Sequence, residues 1–355
     1  MRILFVLPDY SDFAIGGYKV VYEHANHLAN RGHQVSVVLP RQQTPREGLL
    51  APSLDAVWSA RTLRRTGGKP VSWFEIDPKV KIVLAPDLRE KWLPDSDAVI
   101  ATLWSTAPIV HRYSNRLGRK FHLIQHYETF GGPKQDVDAA LALPIEKLVI
   151  SHWLIDTVKA IDPGARCHFV PNALDFDEFG ISTPIEGRPP HILTLAHNDA
   201  IKGFSDALAA LEMVREVRPD VGLTVFGVAE RPYFLPEGIA YFRRPDRSQL
   251  RDLYNQASIF MYASWSEGWG LTPAEAMACG CAVVCADNGG VREYAEPDDN
   301  LILAPIRRPH VLAAKCLELL QDEERRVTIA RRGQQSIQAF TWDRAVDAME
   351  SALQS

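Results

Sequence analysis

An apolar run, a glycine pair, an amphipathic helix and a second apolar run open the chain, and few folds accept that order. Residues 2–7 (RILFVL) are apolar throughout after Arg2, as strands of a parallel sheet covered on both faces are. Gly16 and Gly17 follow a short loop, and the spacing predicts a helix over 18–30, with Val21, Ala25 and Leu28 on one face and a stop before Gly32. Residues 34–39 are the next strand, which makes a right-handed parallel βαβ unit. Strand-like runs return at 80–84, 98–103, 121–125 and 147–150, whereas 40–79 breaks into proline, glycine and basic residues, and FGGPKQDVD at 130–138 reads as a mobile loop. A second series begins near His191, with strands at 192–195, 222–226, 259–262 and 282–284 and a helix opening at Phe204. The predicted fold is α/β, two doubly wound Rossmann-like domains facing each other across a cleft. The boundaries fall at 1–174 and 175–340, and an amphipathic helix at 341–355 crosses back to the first domain.

A length of 355 residues suits two such domains. The 39 lysines and arginines against 44 acidic residues give a net charge of −5, which excludes a chain built to wrap nucleic acid. No apolar run reaches the roughly 20 residues that span a bilayer, and MRILFVLP reads as a first strand rather than a leader, so the expected location is cytoplasmic. Five cysteines are then reduced thiols. Cys279, Cys281 and Cys285 lack ligands at metal spacing and read as small core residues.

The segment 264–285, SWSEGWGLTPAEAMACGCAVVC, concentrates the chemistry. Glu267 precedes Gly268, Trp269 and Gly270, where backbone can approach a ligand closely. Thr272 is placed as an N-cap with Pro273 at the first helical position, so the amides of Leu271 and Thr272 face whatever precedes the helix. A helix N-terminus after a glycine-rich loop favours a phosphate. Glu275 has two readings: it closes a capping box onto the Thr272 amide, or it grips ribose hydroxyls near a strand's carboxyl end.

Glu267 and Glu275 stand as E-x7-E around GWGL, followed by EAMACGCAVV. With Asp287–Gly290, Glu293-Tyr294, Phe340–Trp342, Gly16-Gly17, Gly32–Val35 and PNALD at 171–175, this resembles retaining glycosyltransferase family 4, whose fold is the two-domain GT-B. The stretches IQHYE at 124–128 and SEGWGL at 266–271 are similar to bacterial rhamnosyltransferase-like members. The resemblance implies a first domain on the acceptor side and a second that binds the nucleotide-sugar donor. Glu267 then holds donor-sugar hydroxyls, Glu275 the ribose, and Lys202 the pyrophosphate; His126 touches the donor sugar, and Gly16, Gly17, Gly270, Leu271 and Thr272 cradle phosphates. Gly227 and the stretch 242–244 lie where the base is expected. By itself Lys202 is one lysine before a helix, and His126 one histidine after a strand; Glu128 either orients His126 or binds acceptor.

One departure concerns the clamp. Where the family has an arginine before the lysine, this chain has Ala196-His197-Asn198. The D-x-D triplets at 95–97, 136–138 and 175–177 are expected by chance among 44 acidic residues, so no metal and no cofactor are expected. The expected activity is transfer of a hexose from a nucleotide-diphosphate sugar to a hydroxyl acceptor (a glycan, a lipid-linked glycan or a small molecule) with retention of the anomeric configuration. An epimerase or phosphorylase on the same scaffold, and a non-catalytic sugar-nucleotide binder, are the competing classes. A nicotinamide oxidoreductase is excluded for want of G-x-G-x-x-G after the first strand. The basic stretch 61–69 with Trp73 and Phe74 raises peripheral docking at the inner membrane face, against a plain solvated loop.

Overall fold

The computed structural model describes residues 1–44, 61 and 71–355. The chain divides into two compact units, unit 1 of residues 1–172 with 342–355, and unit 2 of residues 173–341.

Unit 1 carries a seven-stranded parallel sheet in the order β3-β2-β1-β4-β5-β6-β7. Its strands are β1 (Arg2–Val6), β2 (Gln34–Pro40), β3 (Lys81–Ala85), β4 (Ala98–Ala101), β5 (Arg119–Ile124), β6 (Glu146–Val149) and β7 (Cys167–Phe169). In register, Ile3 of β1 lies beside Val35 of β2 and Ala98 of β4. The helices are α1 (Gly16–Asn30), α2 (Ala107–His111), α3 (Lys134–Leu141), α4 (His152–Ile161) and, from the far end of the chain, α10 (Trp342–Gln354). Helix α1 starts two residues before the expected Tyr18 and ends as its sequence suggests, with Gly32 at φ 89° and the His33 amide donating back to Leu28 O at 3.1 Å. One core cluster joins Leu4, Val6, Val99 and Ala101 of the central strands to Ala107, Val110 and Ala140 of the helices.

Unit 2 repeats the plan with six parallel strands in the order β10-β9-β8-β11-β12-β13. These are β8 (His191–Ala196), β9 (Gly222–Gly227), β10 (Ala240–Arg243), β11 (Ile259–Tyr262), β12 (Ala282–Ala286) and β13 (Ile302–Ala304). Helices α5 (Phe204–Val217), α6 (Arg247–Gln256), α7 (Leu271–Ala278), α8 (Pro309–Gln321) and α9 (Glu323–Ile337) cover it. Strands β11 and β12 are buried at every residue, which is why they read as unbroken apolar runs. In both sheets the chain order reverses beside the first strand, between β1 and β4 and between β8 and β11. At such switch points the carboxyl ends of neighbouring strands part, and a ligand has room.

One expectation is corrected. The stretch 130–138 is not all loop: Pro133 opens α3, and Gly132 lies so close to Trp104 that a Cβ there would meet the indole at 2.3 Å. Proline and glycine hid the helix because both also mark turns. Phe74 is buried and Trp73 partly so, their rings 5.4 and 5.7 Å from that of Tyr22 on α1. The basic stretch 61–69 lies, Arg61 apart, outside the described residues. No helix among the described residues is long and apolar enough to cross a membrane.

Candidate functional site

In unit 2 the site is assembled by two turns that leave β8 and β11, neighbours across the switch point. After β8, Asp199 Oδ1 accepts from the Ile201 amide at 3.2 Å and winds Ala200–Lys202 into a 3-10 turn. Gly203 follows in the left-handed region at φ 64°, and a Cβ there would sit 2.1 Å from Ala263 O. Only glycine fits. That close approach lets the Trp265 amide donate to Ile201 O at 2.8 Å, so the two turns are stitched together. Lys202 Nζ consequently lies 2.8 and 3.0 Å from the two oxygens of Glu267. The structure thus brings this pair together across 65 residues of sequence.

Glu267 is fixed along its backbone as well. Its amide donates to Asn288 O at 3.0 Å, and a Cβ on Gly290 would stand 2.7 Å from Glu267 O. Its side chain is nearly enclosed, and Tyr262, the last residue of β11, donates its hydroxyl to Oε1 at 2.5 Å. Burial alone would push the Glu267 pKa up. The Lys202 charge and the hydrogen bonds from Lys202, Tyr262 and Ser264 outweigh burial, and the carboxyl stays below the usual range.

Past Glu267 the chain turns through Trp269, whose buried ring packs 4.9 Å from Tyr294 and 5.4 Å from Phe340. Gly270 at φ 91° enters α7, with its carbonyl held by the Tyr294 hydroxyl at 2.7 Å. Thr272 is therefore not the N-cap. Gly270 is, Leu271 is the first helical residue and Pro273 the third, where a missing N–H costs nothing because the first turn's donors have no intrahelical acceptor. The capping box falls with it, and Glu275 Oε2 instead accepts from the buried Tyr254 hydroxyl of α6 at 3.3 Å. The amides of Leu271 and Thr272 stay at the helix N-terminus, where partial positive charge gathers.

His197, at the end of β8, takes the place of the arginine. Its Nδ1 accepts from the Asp199 amide at 3.0 Å, and desolvation followed by the Lys202 charge lowers its pKa. Gly227 has a packing reason of its own, since a Cβ would meet Ala196 O at 2.7 Å and the Tyr241 hydroxyl at 2.8 Å. Beside it Arg243 pairs with Glu230 at 2.7 Å, and the Arg244 guanidinium donates to Val228 O at 3.0 Å. Cys279, Cys281 and Cys285 are buried, and the Cys281 thiol, its pKa pushed up to about 12 chiefly by burial, donates to Tyr254 O. They are core residues.

In unit 1, Gly16 and Gly17 begin α1 after β1, and Gln125 Nε2 donates to Gly17 O at 3.2 Å. A Cβ on Gly17 would meet the same amide at 3.3 Å. His126, after β5, contacts Tyr127 O through Nδ1 at 3.0 Å and Phe130 ring-edge to face. Glu128 is not its orienting partner: the carboxylate accepts from the Trp104 amide at 2.9 Å, and burial raises its pKa to about 7. Each D-x-D triplet is engaged elsewhere, Asp97 with Arg2, Asp95 with Arg116, Asp138 with Lys134 and Tyr127, and Asp175 with the amides of Asp177 and Glu178. Among the described residues no three His, Cys, Asp or Glu side chains gather as a metal site.

Tyr262 and Tyr254 were not legible as site residues. A tyrosine closing an apolar strand or facing inward from a helix reads as core, and the only available signal is that a buried hydroxyl needs a partner.

Comparison with known proteins follows the same division. Residues 175–336 match the family described as Glycosyl transferases group 1. A D-inositol 3-phosphate glycosyltransferase of Xylanimonas cellulosilytica is 31% identical over 211 residues, which take in 52% of this chain and 50% of that protein. The match thus spans about half the length of that relative. A phosphatidyl-myo-inositol mannosyltransferase of Mycolicibacterium smegmatis is 23% identical over 96% of this chain and 90% of its own. The structure of Anabaena HepE in complex with UDP-glucose superposes with a TM-score of 0.73 over 100% of this chain and 99% of that one, at 17% identity, and shows the fold to be shared. The matched segment, residues 175–336, contains Lys202, Glu267 and Glu275, and through it the chain is similar to the glycosyl transferases group 1.

Proposed function

We propose that the chain is a glycosyltransferase that moves a hexose from a nucleoside-diphosphate sugar to a hydroxyl acceptor with retention at the anomeric carbon, without metal. The observation that carries this reading is Lys202 Nζ within 3.0 Å of both Glu267 oxygens, where β8 and β11 part. An ammonium and a carboxylate so placed suit the two ends of a donor, the pyrophosphate and the sugar hydroxyls. Donor binding moves Lys202 from Glu267 to the phosphates, and Glu267 turns its freed acceptor sites to the sugar. Glu275 takes the ribose and the first amides of α7 the phosphates.

As the bond from the anomeric carbon to the phosphate oxygen breaks, its electron pair stays on the leaving diphosphate. Lys202 and the α7 amides meet that growing charge, which is the stabilisation that accelerates transfer. The acceptor oxygen arrives on the face the phosphate leaves, and its proton passes to the leaving oxygen. The acceptor side falls to unit 1, in which Gly16, Gly17 and His126 are the candidate residues. HepE, which was crystallised with UDP-glucose, makes uridine the first base to try.

The test is thermal unfolding with a panel of nucleoside diphosphates and their sugars, followed by NMR of the first product formed. A ligand at 100 times its Kd raises stability by roughly 2.7 kcal/mol. Stabilisation by one sugar nucleotide and a product of unchanged anomeric configuration are expected. No shift with any member of the panel overturns the donor site, and an inverted product overturns the mechanism.

A further inference from the structure

Donor binding as proposed above leaves Glu267 with a difficulty. The residue is 8% exposed, and Lys202 supplies two of the hydrogen bonds to its carboxylate. Once the lysine turns to the diphosphate, a buried anion needs another donor or it takes a proton. We propose that Tyr262 is a positioning residue for Glu267: from the end of β11 its hydroxyl, 2.5 Å from Oε1, holds the carboxylate in place and keeps it partnered when Lys202 leaves. This inference rests on the proposed donor site.

The surroundings leave this task to Tyr262. Asn288 and Gly290 fix the Glu267 backbone but give its carboxylate nothing. The titratable groups that face it are Lys202 and His197 from the β8 side, Tyr262 from β11, Cys285 from β12 and Tyr294 beside the turn. Cys285 and Tyr294 have other partners, the former Ala286 O and the latter Gly270 O. Ser264 adds a weaker contribution and also donates to Ile201 O. Tyr262 itself cannot release its proton readily, because burial and the Glu267 charge both hold it. It therefore remains a donor whether Lys202 is docked or gone. Its ring packs 5.9 Å from that of Phe260, so the hydroxyl's direction is set by the strand and its packing.

Tyr262→Phe keeps the ring and removes the donor. The experiment is calorimetric titration at pH 6.5 with UDP, or with whichever of ADP, GDP and dTDP binds the wild type, in two buffers of different ionisation enthalpy. The pair of buffers reports protons taken up on binding. The variant is expected to bind about tenfold more weakly, as for the loss of a hydrogen bond to a charged group. It is also expected to take up an additional fraction of a proton, because Glu267 without Lys202 and without the phenol protonates. In a Glu267→Ala background, which removes the acceptor, the same substitution changes neither quantity. Equal affinity and proton count in wild type and Tyr262→Phe overturn the inference while leaving the donor site standing. An equal loss in the Glu267→Ala background also overturns it, since the phenol then serves packing alone. A wild type that binds none of the four diphosphates overturns the donor site, and the inference with it.

Discussion

A lysine held between two carboxylate oxygens at 2.8 and 3.0 Å can neutralise a phosphate only by releasing them. On the proposed donor site the exchange is nearly neutral in the ground state and gains most when the phosphate charge grows, which would make Lys202 act on the transition state more than on binding. Lys202→Ala should lower kcat by about 100-fold or more, in line with the loss of one preorganised charge donor, with a smaller change in donor KM. Glu275→Gln keeps an acceptor for Tyr254 and should act on binding instead, raising donor KM about tenfold with kcat nearly kept. Steady-state kinetics on both variants checks the split, and identical profiles would refute it. At this scale the sequence was informative where a residue type is rare for its place, such as a glutamate beside two glycines and a tryptophan. It was silent on Tyr262 and Tyr254, since strand and helix periodicity specify which way a side chain points but not what its hydroxyl meets.

Among the elements, α6 and α7 are joined by a residue that no pattern singles out. Arg188 is 3% exposed, and its guanidinium donates to Tyr254 O and Ala257 O at the end of α6 and to Cys279 O and Gly280 O at the end of α7. Helix ends carry carbonyls without partners, and one planar group with five N–H donors satisfies several together. Arg188→Met fills a similar volume but leaves these carbonyls unpaired. It should cost about 3 kcal/mol, which lowers Tm by roughly 6–12 °C for a domain this size, readable by calorimetry. Strands β8, β9, β11 and β12 were visible because a strand buried on both faces must be apolar throughout. The edge strand β10, Ala240–Arg243, was not, for its half-exposed residues carry no such run. Helix α7 was visible in position but shifted at its start, because Thr-Pro resembles a cap and the true entry depends on Gly270 adopting a positive φ.

For the whole molecule, two buried histidines weaken the fold in acid and one buried carboxyl, Glu128, opposes them. His24 is fully enclosed with no hydrogen-bond partner on either ring nitrogen, and burial, then His27, lowers its pKa to about 3. His122 is lowered to about 3 by burial and then by Lys147. Both are bases whose folded pKa lies below the ordinary 6.5, so the unfolded chain takes the proton first. The stability they supply is full above about pH 6.5 and falls as the pH drops toward 3, by about 2 kcal/mol per histidine at pH 5. Glu128, raised to about 7 by burial, works the other way, because the folded chain takes its proton first. Denaturant unfolding at pH 7 and pH 5 should show a net loss of about 2 kcal/mol, two histidines against Glu128, and His24→Leu should remove most of it. An unchanged difference between the two pH values in that variant would place the acid sensitivity elsewhere. His24 also meets the edge of the Trp342 ring of α10 at 5.2 Å, while Arg31 of α1 pairs with Asp347 and Glu350 at 2.5 and 2.8 Å. A chain ending at residue 341 should therefore show unit 1 melting earlier and the unit 2 transition in place, two separate calorimetric peaks.

That last helix bears on how the polypeptide is made. Unit 1 begins the chain, yet α10, which covers His24, leaves the ribosome only after all of unit 2. At ordinary translation speeds the wait is on the order of ten seconds or more. The first sheet stands uncovered on that side for as long, while the contiguous unit 2 can close as soon as it emerges. The half of the molecule synthesised first is thus completed last, and in the interval it is the natural client of a chaperone.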